Sequence, residues 1–470
     1  MNPITLLILA TIFTFAGIGL GIITGLIPGV HVNTISFLIV TSQGTLIIFF
    51  IHVLEGYSPT IPQVLAIIST MVMGCMVSHT FLNFIPSTYL GAPEGETALS
   101  VLPAHKMVLE GNGYEAILAS AWGSLGAAIL ALILVVPARL IMGPPVDLYV
   151  HLTPWIALIL FSVVALLVFQ EGRSILEVKP KLMAIGIFFL AGFLGLILLA
   201  PTGLYAGHWF PFKQSGVSPA TLMFFPLFTG LFGISNLLVS LMDSPVIPDQ
   251  ILDGVEVKLD GKNQLRAVVS GTISGGMVGW LPGITAAAAT AVTKVFTSDD
   301  DDEEVQGREY IMAVSAVDTS CAIFTLVALF VIMRARSGAM QSVLQINQEN
   351  IEGWIHLTQM PWLMALLLYS VILASAVAFF LTLYFGKLLS GIHKKVEYSS
   401  ISKGIIIFLV IMIFIFSGPL GLLVGTIATC IGLVPPLYGI KRVHLMGCII
   451  FPIILFLMGW ERIILGLFGI

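Results

Sequence analysis

The sequence predicts an all-α polytopic membrane protein with roughly 10–12 transmembrane segments. Of its 470 residues, 57% are hydrophobic and only 10% are charged, whereas soluble domains carry roughly 25% charged residues. The mean hydropathy is +1.04. The apolar residues also form continuous runs, as in 405–416, rather than the alternating segments of about ten residues that build a membrane β-barrel. These observations exclude soluble, disordered and disulfide-scaffold proteins.

The first apolar segment, which starts at Ile4, is interpreted as a membrane helix because it lacks the cationic region and cleavage site of a signal peptide. It carries glycine at every fourth position and ends in a Pro-Gly pair: Gly17, Gly21, Gly25, Pro28 and Gly29. A glycine stripe lets another backbone approach closely, and the Pro-Gly pair ends the helix. Backbone groups released there cannot face lipid, so they must face protein, water or a ligand.

Small polar residues follow this first break. A helix that restarts here would direct unpaired N–H groups and its positive dipole end at the break, which suits an anion. His31 could add a positive charge or accept a proton, or it could cap the backbone. The predicted substrate-binding residues in this region are Pro28, Gly29, His31, Asn33 and Thr34.

A further interruption ends the next long apolar segment. His79 and Asn83 are four residues apart and share a helix face, and Ser87 follows them after a proline. These three residues are added to the candidate substrate site. Segment 91–97 is too polar for lipid, and its Glu94 is interpreted either as part of a solvated turn or as part of a coupling-ion or substrate site.

The glycine and Pro-Gly pattern of the first segment returns at an offset of 254 residues (282 − 28). Its second copy consists of Gly271, Gly275, Gly279, Pro282 and Gly283. The two copies predict two structurally repeated halves with Pro-Gly-broken re-entrant or discontinuous helices. We place the first half at 1–241, a charged connecting loop at 242–266 and the second half at 267–470.

Interrupted helices at corresponding positions of two halves are the best sequence indication of a secondary transporter's substrate site. Pro282, Gly283 and Thr285 are therefore also predicted to bind substrate. The alternative is that both glycine stripes are packing seams and both Pro-Gly pairs are simple kinks.

Asp318 lies in the middle of an apolar segment of the second half. An acidic residue is costly at membrane depth and is a functional candidate by default. We interpret Asp318, together with Ser320 and Glu94, as a candidate site for a coupling ion, either H⁺ or Na⁺. The alternatives for Asp318 are a structural hydrogen bond to a neighbouring break, or a pairing with Arg334 or Arg336 near the far interface.

Twelve of the 20 cationic residues lie in four clusters, and the positive-inside rule predicts that the loops carrying them face the cytoplasm. The acidic run 299–304 is interpreted as a solvated loop, with a cation or partner site as the alternative. The four cysteines have neither metal-ligand nor paired spacing, so we expect no metal and no cofactor beyond the coupling ion. The predicted location is the cell (cytoplasmic) membrane, crossed several times.

These motifs resemble the TctA family, the large permease subunit of tripartite tricarboxylate transporters. The matching segments are the Leu-Ile-Pro-Gly helix end, the Leu-Asn-Phe-Ile-Pro break, the repeated Leu-Pro-Gly and the Pro-Pro-containing C-terminal stretch: 26–29, 82–86, 281–283 and 432–442. The resemblance covers essentially the whole chain. It implies a carboxylate permease with an internally duplicated membrane fold, assisted by a small membrane subunit and an extracytoplasmic binding protein.

We therefore predict a secondary transporter that moves a small organic anion, a di- or tricarboxylate, by ion-coupled alternating access. Its expected partners are this substrate and membrane lipid, and no nucleic acid. The alternative substrate is polyprenyl phosphate or another lipid-linked phosphate, because the same N–H groups suit a phosphate. An enzyme is disfavoured because no nucleophile with a positioned base and no metal motif occurs. A scaffold without transport activity would leave the polar breaks unexplained.

Overall fold

The computed structural model describes residues 1–27, 30, 32–89, 101–169, 171–172, 177–199, 219–243, 248–281, 289, 293, 302–348, 350–391 and 398–467. Within these residues every regular element is a helix. Eight helices are long and apolar enough to cross a membrane, and three shorter apolar helices accompany them, at Gln43–Val53, Phe225–Val239 and Arg442–Met458. The predicted all-α polytopic class is confirmed. The boundaries of the two halves stay predictions.

The helices form two groups, each around a large apolar core of its own. The first group contains α1 (Pro3–Leu26), α2 (Val32–Thr41), α3 (Gln43–Val53), α4 (Ile61–Leu82), α5 (Phe84–Tyr89), α6 (Val101–Leu109), α7 (Gly113–Ile133), α8 (Val135–Met142) and α9 (Leu148–Leu152). The second group starts with α10 (Ile156–Phe169), α11 (Val178–Leu199), α12 (Pro219–Phe228) and α13 (Ser235–Asp243).

The chain then returns to the first group and afterwards to the second. The first group is completed by α14 (Gly261–Val278), α15 (Glu303–Val331), α16 (Gly338–Ile346) and α17 (Trp362–Leu389). The second group is completed by α18 (Tyr398–Leu437), α19 (Gly447–Met458) and α20 (Glu461–Leu467). Each group is therefore built from two separate stretches of sequence.

Local sequence signals explain where several helices begin and bend. The side chain of Asn2 accepts a hydrogen bond from the Thr5 N–H at 2.8 Å and caps α1. Asp260 caps α14 through the Asn263 N–H, also at 2.8 Å. Within α18, Gly418 has φ 66° and precedes a proline, so the helix is divided by a kink.

Both glycine stripes lie against the next long helix of the chain. On α1, Gly21 faces Ser78 of α4, and on α14, Gly275 faces Ser320 of α15. A Cβ atom at either glycine would overlap the serine hydroxyl, so the backbones touch without intervening side chains. In both pairs of helices, a glycine of the repeated pattern therefore lies against a serine of the next long helix.

The helix pairs α1–α4 and α14–α15 are each parallel. On α1, Gly17 lies against Met71 and Gly25 against Leu82, so residue numbers rise together in the two helices. On α14, Gly271 lies against Ala313, and Gly279 against Phe324 of α15, with the same direction. Each long helix thus continues in the direction of the glycine-rich helix before it.

The two parallel pairs run in opposite directions. Helix α17 packs against α4 of the first pair, and α7 packs against α15 of the second pair. Each pair is therefore contacted by a helix from the other half of the sequence. Helices α7 and α17 also touch: Gly386 lies against Ile117, and Trp122 packs against Phe379, so residue numbers rise in one helix as they fall in the other. Antiparallel sets of this kind are the geometry of inverted-topology repeats.

Candidate functional site

Helices α4 and α15 meet at four buried polar side chains, which we call the polar crossing: Thr80, Asn83, Asp318 and Thr319. The Asn83 Nδ2 donates a hydrogen bond to the Asp318 Oδ2 at 3.1 Å. The hydroxyls of Thr80 and Thr319 lie 3.3 Å apart. Asn83 is 1% exposed and Asp318 is 4% exposed, so the contact is closed to bulk solvent.

Local structure fixes both partners of the central hydrogen bond. Asn83 follows the last residue of α4, and its N–H donates to the His79 carbonyl, so the chain passes into α5 without changing direction. Ser87 donates to the Asn83 carbonyl at 2.9 Å and supports this junction. Asp318 lies mid-way along the uninterrupted α15. Its carboxylate is therefore held at a fixed depth.

The polar crossing offers oxygen atoms from both long helices. The Asn83 Oδ1 is buried and has no hydrogen-bond partner within the described residues. An unsatisfied buried acceptor costs about 1–3 kcal/mol, so this oxygen is available to a ligand. Together with the Asp318 carboxylate and the Thr80 and Thr319 hydroxyls, it forms a ligand set suited to a proton or a hard monovalent cation.

The predicted site residue His79 contacts a different neighbour from Asn83. Its Nδ1 lies 3.1 Å from the Thr24 Oγ1 on α1. His79 is 1% exposed. The two residues are one turn apart on α4, but His79 links α4 to α1 whereas Asn83 links α4 to α15.

Two other predicted residues are placed in helix-packing contacts. The Asn33 Oδ1 on α2 accepts a hydrogen bond from the Ala339 N–H in the first turn of α16, at 3.1 Å. Ser320 donates to the Ala316 carbonyl at 2.7 Å, in the seam that faces α14. Ser320 is two residues from Asp318, about 200° around the helix, and so lies away from the polar crossing.

The remaining predicted residues are placed only in part or not at all. Thr34 lies in α2. Seven residues lie outside the described part of the chain: Pro28, Gly29, His31, Glu94, Pro282, Gly283 and Thr285. Their assignment stays a prediction.

Arg336 lies closer to the level of Asp318 than the 18 residues between them (336 − 318) would predict for a continuous helix. Helix α15 ends at Val331, and Met333 takes a positive φ of 53°, so the chain turns back along the bundle. The Arg336 Nη2 donates to the Val278 carbonyl at 3.5 Å. The sequence prediction placed Arg336 by counting helix turns from Asp318 and so did not include this turn of the chain. Ser337 is nevertheless a recognisable N-cap for the new helix that begins at Gly338.

The depth of Arg336 follows from the seam between α14 and α15. Gly279, next to Val278, packs against Phe324 and Cys321. These residues are three and six positions beyond Asp318, about 5–9 Å along the axis of α15. The guanidinium therefore lies about one to two helix turns from the level of the polar crossing.

Polytopic helical bundles with antiparallel helix pairs, joined by buried polar and ionisable groups, are typical of membrane transporters. The chain matches the model of the family described as the Tripartite tricarboxylate transporter TctA family over residues 11–447. It therefore belongs to the TctA family. Permeases of this family are subunits of tripartite systems, beside a small membrane subunit and a binding protein.

One relative matches this chain along nearly its full length. It is an uncharacterised protein of Methanocaldococcus jannaschii, 28% identical over 454 residues, which cover 95% of this chain and 98% of that protein. No solved structure matches the chain.

Proposed function

We propose that this chain is the permease subunit of an ion-coupled secondary transporter that moves a small di- or tricarboxylate across the cytoplasmic membrane by alternating access. The observation that carries the proposal is the hydrogen bond between Asn83 and Asp318, which joins antiparallel helices at a buried position. Family membership supports the carboxylate as the class of substrate.

The coupling ion is assigned to the polar crossing. A carboxylate as buried as Asp318 is stabilised when it holds a proton or a cation, because an isolated charge is costly in a low-dielectric interior. The Asn83 Oδ1, which has no partner among the described residues, supplies a neutral oxygen ligand beside it. Because these ligands come from two helices, a bound ion favours the arrangement in which both helices meet.

The same charge argument links the ion to the substrate. An anion entering near Asp318 is repelled while the carboxylate is ionised, and this repulsion is removed once a cation or proton is bound. The ion is therefore expected to bind before or together with the carboxylate, which is symport. The backbone N–H groups of the two Pro-Gly breaks are proposed to contact the substrate on the strength of the sequence pattern alone.

The proposed transport cycle includes two further proteins. A small membrane subunit and an extracytoplasmic binding protein are the expected partners, because the family works in tripartite systems. The binding protein would deliver the carboxylate to the outer side of the permease.

Uptake into proteoliposomes tests the proposal. Purified protein is reconstituted with succinate or citrate outside, under an imposed Na⁺ or H⁺ gradient, with and without its partner proteins. Wild-type protein is expected to accumulate one of the carboxylates with one of the gradients. Asp318→Asn is expected to abolish the gradient dependence, whereas the control Glu304→Gln, whose side chain is 56% exposed, is expected to retain it.

Two results would contradict this assignment. Absence of any carboxylate uptake under both gradients rejects carboxylate transport. Undiminished coupling in Asp318→Asn rejects the polar crossing as the ion site. Competition by polyprenyl phosphate, but not by carboxylates, would instead support the lipid-linked phosphate.

A further inference from the structure

We propose that Arg336 is the residue that recognises the oxyanion of the substrate, and that it binds one carboxylate group through its guanidinium. This inference rests on the proposed transport function and adds its anion-binding residue. Four observations carry it: the unpaired guanidinium donors, the depth of the residue, its contacts with both parts of the chain, and the occupied N–H groups beside it.

The guanidinium of Arg336 has unused hydrogen-bonding capacity. Its Nη1 is buried and has no hydrogen-bond partner within the described residues. Its Nη2 has a single long contact, 3.5 Å to the Val278 carbonyl. Arginine is always charged in proteins and presents five N–H donors in a fixed fork. A half-buried cation with a buried free donor is stabilised by a ligand that brings both negative charge and acceptor oxygens.

The depth of Arg336 places this charge close to the level of the polar crossing. The residue lies about 5–9 Å from the level of Asp318 along α15. An anion at Arg336 and a cation at Asp318 would therefore be close enough to attract each other in a low-dielectric interior. This spacing fits symport of a carboxylate with a monovalent cation.

The segment that carries Arg336 contacts both parts of the chain. Arg336 itself bonds to Val278 at the end of α14, just before the second Pro-Gly break. Three residues later, Ala339 bonds to Asn33 near the start of α2, just after the first break. A ligand held by Arg336 is therefore next to the helix ends that lead into one break and out of the other.

The start of α16 does not compete for the same anion. The Met340 N–H donates to the Ser337 hydroxyl, and the Ala339 N–H donates to Asn33, each at 3.1 Å. Because these two first-turn donors are occupied, the guanidinium is the charged donor group that an oxyanion would meet here. Paired N–H groups of arginine match the two oxygens of a carboxylate, which gives direction as well as charge.

Two other arginines provide matched controls. Arg334 is two residues away and exposed. Arg442 also has a buried Nη1 without a partner in the described structure, but it lies beside the second helix group, far along the chain from both breaks. If a buried unpaired guanidinium mattered only for stability, Arg336 and Arg442 would behave alike.

The test measures KM and maximal rate for succinate and citrate in proteoliposomes. Arg336→Lys keeps the charge but loses the planar fork, and is expected to raise KM about tenfold or more with little change in maximal rate. Arg336→Gln is expected to lose saturable uptake. Arg334→Gln and Arg442→Gln are expected to stay within about twofold of the wild type. If Arg336→Gln does not elute as folded protein in detergent, Arg336→Lys alone decides.

The outcomes separate the possible failures. Wild-type protein that transports no carboxylate overturns the proposed function, whereas wild-type transport with an unchanged KM in Arg336→Lys overturns only this inference. The oxyanion could also come from a lipid headgroup. Wild-type transport that requires phosphatidylglycerol in phosphatidylcholine vesicles, with the requirement lost in Arg336→Gln, would assign the guanidinium to lipid phosphate and overturn its role in substrate binding.

Discussion

Asn83 and Asp318 share one buried hydrogen bond of 3.1 Å, although 235 residues separate them and their helices run in opposite directions. The amide donates to the carboxylate through its nitrogen, and its oxygen stays without a partner in the described structure. The hydrogen-bonding capacity of the Asn83 amide is therefore only partly used within the described structure. An ion that binds there would use both residues at once.

Replacing Asn83 with leucine tests the amide separately from the carboxylate. Asn83→Leu keeps the side chain at a similar size but removes the neutral oxygen ligand and the donor to Asp318, and we expect the cation concentration for half-maximal uptake to rise about tenfold. Uptake at saturating cation should fall much less, because Asp318 remains. The measurement is substrate uptake against Na⁺ concentration and against pH. An unchanged cation dependence would remove Asn83 from the ion site.

The glycine seams predict a position-specific effect on stability. Gly275→Ala places a Cβ against the Ser320 hydroxyl and the backbone of α15, and overpacking of this kind typically costs about 1–3 kcal/mol. Gly21→Ala should behave in the same way on α1. The matched control is Gly19→Ala, because no atom lies within 4 Å of a Cβ there. The midpoint temperature of thermal unfolding in detergent should be lower than the wild-type value for the first two variants. For the third variant it should be unchanged or slightly higher.

A buried ion pair at one end of the first helix group predicts a larger effect. Arg308 and Glu115 meet at 2.7 Å, with side chains 4% and 2% exposed. Arg308→Met leaves an uncompensated buried carboxylate, and the expected loss of stability is about 3–5 kcal/mol. The double variant Arg308→Met with Glu115→Leu should recover much of it. If the single and double variants unfold at the same temperature, the ion pair does not determine the loss.

The second helix group predicts a response to acid. Burial raises the pKa of Glu171, but hydrogen bonds from His444 and from the Lys441 N–H outweigh it, so the pKa lies below its usual value near 4.5. A depressed pKa contributes stability above the usual pKa, and this contribution is lost as pH falls through the folded-state value. Below about pH 4.5, wild-type stability should therefore fall more steeply than that of Glu171→Gln. Parallel unfolding curves for the two proteins would contradict this.

Composition and glycine spacing were enough to predict the class of fold and the close approach of the glycine-rich helices. The low charge content leaves too little polar surface for water, and a stripe of glycines can only serve a near neighbour. The directions of the helices were not predictable, because residue periodicity is the same in either direction along an axis. The packing of α7 against α15, and of α17 against α4, depends on long-range contacts that no local sequence pattern indicates.

Within the candidate site, Asp318 was predictable because a carboxylate in an apolar run has few explanations. Its contact with Asn83 was not, because the two residues come from different parts of the chain. Ser320 was misleading for a geometric reason: two residues along a helix is almost the opposite face, so neighbours in sequence are not neighbours in the site. Arg336 was named only as an alternative partner of Asp318 near the far interface; its depth was missed because the positive φ of Met333, which turns the chain back, leaves no mark in the hydropathy pattern.

The glycine seams also determine which parts of the molecule can slide. Where Gly21 and Gly275 bring backbones together, only a small serine side chain lies in each seam, so we expect each parallel pair to behave as one stiff body. The threonine hydroxyls and the amide between α4 and α15 can exchange partners by rotating single bonds. We therefore expect relative motion to occur at the interface between the two pairs, where the ionisable side chain Asp318 also lies.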